Sequence, residues 1–288
     1  MMTASWIDHS AYPFQSCYFE VDGGQMHYLD EGRGQPLVMV HGTPTWSFLY
    51  RTLIKELSGK FRVIAPDHIG FGLSDKPENW SYRPQDHARN LERLIEHLGL
   101  KNIVLAVHDF GGPIGLSYAL EHPENIRALV IFNTFLWSLK GDPAFERPVR
   151  MFNNAIGRWL YLQQNFSANV MVRSAWGKHR PLPADVHKQY KQPFQAAESR
   201  MGTWQFFQSL LGESEWYDHL WEKRHRIAGK PALILWGMRD IAFKEKELER
   251  WKGLFPRARV VTYPQVGHFV PDEAGPEAVQ EIRNFLGK

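Results

Sequence analysis

The apolar run Ile103-Val104-Leu105-Ala106-Val107 passes without a gap into His108-Asp109-Phe110-Gly111-Gly112, and that into Pro113-Ile114-Gly115-Leu116-Ser117-Tyr118-Ala119-Leu120. A short aliphatic run, a glycine pair and a helical pattern predict strand, sharp turn and helix in immediate succession. At the apex of such an elbow one side chain stands exposed, and here it is Asp109. Gly111 and Gly112 let the turn close without Cβ clashes. Serine is the familiar residue at an elbow, where it attacks a carbonyl and forms an acyl ester. A carboxylate instead attacks a carbon that bears a leaving group, and forms an alkyl ester.

Around this junction the chain alternates strand and helix patterns. Residues 17–21 and 25–29 read as paired strands across the turn Asp22-Gly23-Gly24. Further strands are expected at 36–40, 61–65, 103–107, 128–132, 231–236 and 258–263, with helices at 46–57, 84–98, 244–254 and 276–286. Strands alternating with helices argue for an α/β fold, with a mostly parallel sheet covered on both faces. Between about 139 and 220 the alternation stops. That stretch reads as helices with breaks at Pro143, Pro148, Gly157, Pro181, Pro183 and Pro193, and 137–221 holds six of the eleven tryptophans. The division expected is a core of 1–138 and 221–288 with an inserted helical cap of 139–220.

Composition excludes several function classes. A net charge of +3 with no Lys/Arg cluster makes no case for nucleic acid. The basic piece 173–180 is interrupted by Ala175, Trp176 and Gly177 and reads as a solvated face. Cys17 is the only cysteine, so no internal disulfide and no thiolate metal site can form, and no metal or cofactor is expected. Cys17 has no support as a nucleophile. Residues 1–6 contain no apolar leader core, and no apolar run is long enough to span a bilayer. A cytoplasmic location is the expectation.

Three groups fall at the C-terminal ends of expected strands, where an open α/β sheet places its active site. Asp109 follows 103–107. Asp240 follows 232–236 through Gly237-Met238-Arg239. His268 follows 260–263 within Gln265-Val266-Gly267-His268-Phe269. The order nucleophile, acid, histidine is that of the serine-elbow hydrolases. Asp109 at a helix N-terminus is expected to stay ionised. His268 would draw a proton from water, and Asp240 would orient and stabilise its imidazolium. Backbone N–H groups of Thr43, in His41-Gly42-Thr43-Pro44, and of Phe110 are the expected donors to an oxyanion or leaving group. Asp67, in a glycine-rich loop after a strand, is expected to be structural, accepting backbone N–H bonds.

The segments His41-Gly42-Thr43-Pro44-Thr45-Trp46-Ser47-Phe48-Leu49-Tyr50-Arg51, Pro66-Asp67-His68-Ile69-Gly70-Phe71-Gly72-Leu73-Ser74-Asp75-Lys76-Pro77 and Val107-His108-Asp109-Phe110-Gly111-Gly112 resemble haloalkane dehalogenases of the α/β-hydrolase superfamily. Trp236-Gly237-Met238-Arg239-Asp240 and Gly267-His268-Phe269 are similar to that family's acid and base loops. The resemblance runs from about Tyr12 onward. An acid at Asp240, not at Asn133, matches the branch with an Asp-His-Asp triad, which includes the β-lactone decarboxylases of bacterial olefin synthesis. The resemblance implies an α/β-hydrolase fold and a dehalogenase-type reaction on a small apolar substrate, with water as co-substrate. The alternatives are a β-lactone decarboxylase, an epoxide hydrolase, and a ligand-binding homologue with little turnover. Two positions depart from the family pattern. Phe110 stands where the family carries a Trp whose indole N–H holds the departing halide, and Thr43 stands where it carries Asn or Glu. Trp176 is a candidate cap donor in their place. Epoxide opening needs two cap tyrosines, for which the chain offers Tyr161, Tyr190 and Tyr217.

Overall fold

The computed structural model describes residues 4–287. Met1–Thr3, the start of the segment expected to lack a leader, lie outside the described residues. Eight strands form one sheet: β1 Ser16–Val21, β2 Gly24–Gly32, β3 Gln35–Val40, β4 Phe61–Pro66, β5 Ile103–Asp109, β6 Ile126–Thr134, β7 Ala232–Gly237 and β8 Arg259–Tyr263. Their spatial order is β1-β2-β4-β3-β5-β6-β7-β8. β1, β2 and β4 pair antiparallel, and every pair from β4/β3 to β7/β8 is parallel.

Both faces of the central strands are buried, so their sequences are uninterrupted apolar runs. Val38 and Val40 of β3 pack with Leu105, Val107 and Ile131 on one side. Leu37 and Met39 pack with Val104, Ala106 and Val130 on the other. Residue alternation along a strand thus feeds two cores, one under each layer of helices. Helices Arg51–Leu57 and Gly275–Leu286 cover one face, and Pro84–His97 and Gly111–Glu121 the other.

Several expected boundaries shift. Residues 46–57 are a 3₁₀ turn, Ser47–Tyr50, followed by the helix Arg51–Leu57. β5 runs two residues past Val107, so Asp109 is its last residue and pairs with Thr134 across a register shift that follows Val107. Between β6 and β7 the described chain contains helices and no strand. Pro148 does not interrupt that stretch but lies inside the helix Pro143–Phe152. It forfeits one backbone bond, and burial of Phe145 and Val149 on the same helix offsets the loss. Gly157 likewise lies within Ala155–Gln164, its backbone seated so close to the Phe152 carbonyl that a Cβ would collide. Among the described residues no helix is long and apolar enough to cross a membrane.

Candidate active site

Asp109 occupies a left-handed conformation, φ 53°, at the junction of β5 and the helix Gly111–Glu121. Such a conformation costs a non-glycine residue roughly 1–3 kcal/mol and persists only where its surroundings enforce it. Gly111 makes the junction possible, because a Cβ there would strike the Val40 carbonyl of the neighbouring strand. The Asp109 carboxylate is held from below. The Thr43 N–H donates to Oδ2 at 2.7 Å, and the Phe110 N–H also bonds the carboxylate.

The sheet delivers the other two expected residues to the same place. The loop after β7 carries Asp240 and the loop after β8 carries His268. His268 Nδ1 donates to Asp240 Oδ2 at 2.8 Å, while Nε2 stands 3.9 Å from Asp109 Oδ1. All three side chains are buried. Thus Asp109, His268 and Asp240 come together as the sequence placed them, with the histidine between two carboxylates.

Two groups to which sequence reasoning gave no supporting role brace this arrangement. Asn133, at the end of β6, donates to Asp240 Oδ2 at 2.9 Å and to the Gly237 carbonyl at 3.0 Å, and accepts from the Gly237 N–H at 2.8 Å. With the Ala242 N–H on Oδ1 at 2.7 Å, every Asp240 oxygen is engaged. Glu273 is fully buried and accepts from the backbone N–H groups of Gly267, Phe269 and Gly177, which ties the histidine loop to the helical segment. His108, next to Asp109, donates through Nε2 to the His268 carbonyl at 2.9 Å. Burial holds it neutral, its pKa well below the ordinary value.

Electrostatics divide the site. Burial pushes the Asp109 pKa up, against His268 and the two backbone N–H groups, to about 6. Burial outweighs the donors at the helix start. For His268 burial acts downward, but the carboxylates of Asp240, Asp109 and Glu273 outweigh it and raise the pKa to about 9. Near neutral pH the resting site therefore holds an ionised Asp109 and an imidazolium.

A cavity of about 290 Å³ opens over Asp109 and His268. Its walls are apolar, including Phe110, Phe145, Phe152, Phe207 and Phe243. Phe110 stacks on Phe206 with centroids 4.5 Å apart. Apart from His268, no lining side chain carries an N–H. Thr43 offers a buried Oγ1 with no hydrogen-bond partner. Trp176, expected as a cap donor, does not line the cavity. Its indole N–H donates to the Arg180 carbonyl at 2.9 Å and its ring packs on Phe269. Of the three tyrosines only Tyr161 lines the cavity. Tyr190 donates to Asp272 at 2.5 Å, beside the Arg51–Asp272 ion pair, and Tyr217 is buried against Phe135. Asp67 lies outside the cavity and accepts from the backbone N–H groups of Ser47 and Leu73 and from His27. No group of three or more His, Cys, Asp or Glu among the described residues is arranged to hold a metal.

Residues 35–274 match the family described as alpha/beta hydrolase fold. Haloalkane dehalogenase 2 of Mycobacterium bovis is 34% identical over 273 residues, which cover 93% of this chain and 93% of that one. The cis-3-alkyl-4-alkyloxetan-2-one decarboxylase of Shewanella oneidensis is 34% identical over 283 residues, covering 95% of this chain and 89% of that one. Among solved structures, haloalkane dehalogenase DbeA from Bradyrhizobium elkani USDA94 superposes with a TM-score of 0.85 over 95% of this chain and 98% of its own. Its sequence is 24% identical, so that likeness is one of fold.

Proposed function

The chain belongs to the α/β-hydrolase fold family, in the group that holds haloalkane dehalogenases and alkyloxetanone decarboxylases, and we propose that it breaks a carbon–leaving-group bond through an ester on Asp109. The observation that carries this reading is the strained Asp109, its carboxylate pinned by the Thr43 N–H and facing His268 beneath an apolar cavity.

An ionised Asp109 attacks an sp³ carbon. The carbon–oxygen bond forms as the leaving group departs with the bonding electrons. Pinning one oxygen by backbone donors fixes the direction of attack, and proximity of this kind supplies much of an enzyme's advantage. His268 then removes a proton from water, the hydroxide adds to the ester carbonyl, and collapse frees the alcohol and regenerates Asp109. Asp240, braced by Asn133, keeps the imidazole oriented through both steps. The helices of 139–220 serve as the cap that closes the cavity over a small apolar substrate and excludes water from it.

A second reading concerns the leaving group. A free halide needs N–H donors, and the lining side chains supply none beyond His268, while the backbone N–H groups of Thr43 and Phe110 are engaged by the Asp109 carboxylate. In a strained lactone the departing oxygen stays joined to the alkyl chain, and the unpartnered Thr43 hydroxyl could donate to it. Epoxide opening finds one tyrosine, Tyr161, where it requires two.

The test is covalent trapping. A His268→Gln variant exposed to an activated alkyl halide should gain the mass of the alkyl group on the peptide that carries Asp109. Absence of the adduct, with the halide bound, would favour a ligand-binding homologue. A panel of haloalkanes, β-lactones and epoxides on the wild-type chain then separates the substrate classes.

A further inference from the structure

Five large apolar side chains stand markedly exposed among the described residues: Met151, Ile156, Trp159, Val170 and Ile241. They are not scattered. Met151 precedes Phe152 and Val170 precedes Met171, and both of those neighbours line the cavity, as does Ile241 itself. Ile156 and Trp159 lie one turn apart on the helix Ala155–Gln164, at 70% and 52% exposure. That helix packs on Pro143–Phe152, where Phe152 stacks against Phe166 at 6.0 Å and Gly157 abuts the Phe152 carbonyl. Among the described residues four of these five lie on helices between β6 and β7, three of them on the pair Pro143–Phe152 and Ala155–Gln164, and Ile241 lies in the loop after β7.

The same segment is one-sided in charge. Residues 147–184 contain Arg147, Arg150, Arg158, Arg173, Lys178 and Arg180, and no aspartate or glutamate. Arg150 pairs with Glu146 and Arg180 with Glu277. Arg147 and Arg158, both exposed, form no ion pair among the described residues. Isolated surface apolar residues need no explanation, but a cluster rimmed by cations of one sign marks a contact surface.

We propose that this face docks on a lipid surface bearing anionic headgroups, with Ile156 and Trp159 entering the headgroup region and the arginines against phosphate. A bilayer satisfies apolar tips and cations together, and Trp favours that boundary. A second copy of this chain would set arginine against arginine. Residues of the helix Pro143–Phe152 line the cavity, so docking here brings an alkyl substrate dissolved in the bilayer close to it. That last consequence rests on the cavity being a substrate pocket; the docking does not.

The experiment is vesicle flotation of the full chain. It should float with phosphatidylcholine vesicles that contain phosphatidylglycerol at low salt, stay behind with pure phosphatidylcholine, and be released at high salt. Arg147→Gln with Arg158→Gln, and separately Ile156→Ser with Trp159→Ser, should each weaken binding about tenfold or more, with hydrolysis of a short water-soluble substrate unchanged. No flotation on the anionic vesicles at low salt overturns the proposal. So does flotation that neither double variant weakens, or a dimer in sedimentation that Ile156→Ser with Trp159→Ser dissolves. Capture by an acidic protein without vesicle binding also overturns it. Failure to trap an ester on Asp109 would leave flotation untouched, so the two readings fail separately.

Discussion

The resting site poses a problem that the chain's own electrostatics solve. In the proposed reaction His268 must be neutral to take a proton from water, yet with a pKa of about 9 it is an imidazolium at neutral pH. Ester formation removes the charge on Asp109. At the observed 3.9 Å between Nε2 and Oδ1, two unit charges attract by about 4 kcal/mol at an effective dielectric of about 20. That corresponds to a pKa change of about 3. Alkylating Asp109 should therefore lower the His268 pKa from about 9 toward the ordinary histidine range, and its proton should leave for solvent. The histidine becomes a base only once there is an ester to hydrolyse. The expected result, in stopped-flow at pH 7.5 with an alkyl bromide and an indicator dye, is a burst of about one proton per site together with bromide release, ahead of the alcohol. Alkylation should be lost as pH falls through about 6, where Asp109 takes up a proton. Ester hydrolysis should level off near pH 7. Hydrolysis that keeps rising to a midpoint near 9, or bromide release with no accompanying proton, would refute the coupling.

Three further outcomes follow from the geometry. Asp109→Ala should fold and fall below about one hundredth of wild-type turnover in a steady-state assay, since no other lining group can replace the nucleophile. Asp67→Asn should cost about 1.5–3 kcal/mol in urea titration, by weakening bonds to His27, Ser47 and Leu73, with turnover nearly unchanged. Phe110→Trp with Thr43→Asn supplies the two missing N–H donors and should raise bromide release by one to two orders of magnitude, while slowing a β-lactone if that is the native substrate. A loss on every substrate would instead mean that the Phe110–Phe206 stack is what shapes the cavity.

What was legible in the sequence is what depends on local pattern. The central strands are buried on both faces, so 36–40, 61–65 and 103–107 stand out as apolar runs between turn residues, and strand ends locate Asp109, Asp240 and His268. What was not legible depends on contacts between distant segments. Asn133 braces Asp240 across 107 residues of chain and Gly237 across 104, and nothing in Ile131-Phe132-Asn133-Thr134 announces that role. Glu273 sits in Pro271-Asp272-Glu273, which reads as the acidic first turn of a surface helix, yet it is fully buried around three backbone N–H groups. Trp176 looked free to serve the cavity because its partner is a carbonyl four residues on, whose direction only the folded turn sets. Asp109 shows the limit most sharply. Sequence reveals a helix start beside it, which argues for a low pKa. The larger influence is the apolar enclosure supplied by Phe110, Phe145, Phe243 and their neighbours, residues drawn from widely separated stretches of chain. A nucleophile so raised is more basic than a solvated carboxylate, and a more basic oxygen attacks carbon more readily. The assembly that hid the pKa from sequence reasoning is thus also what would equip Asp109 for the alkyl transfer proposed above.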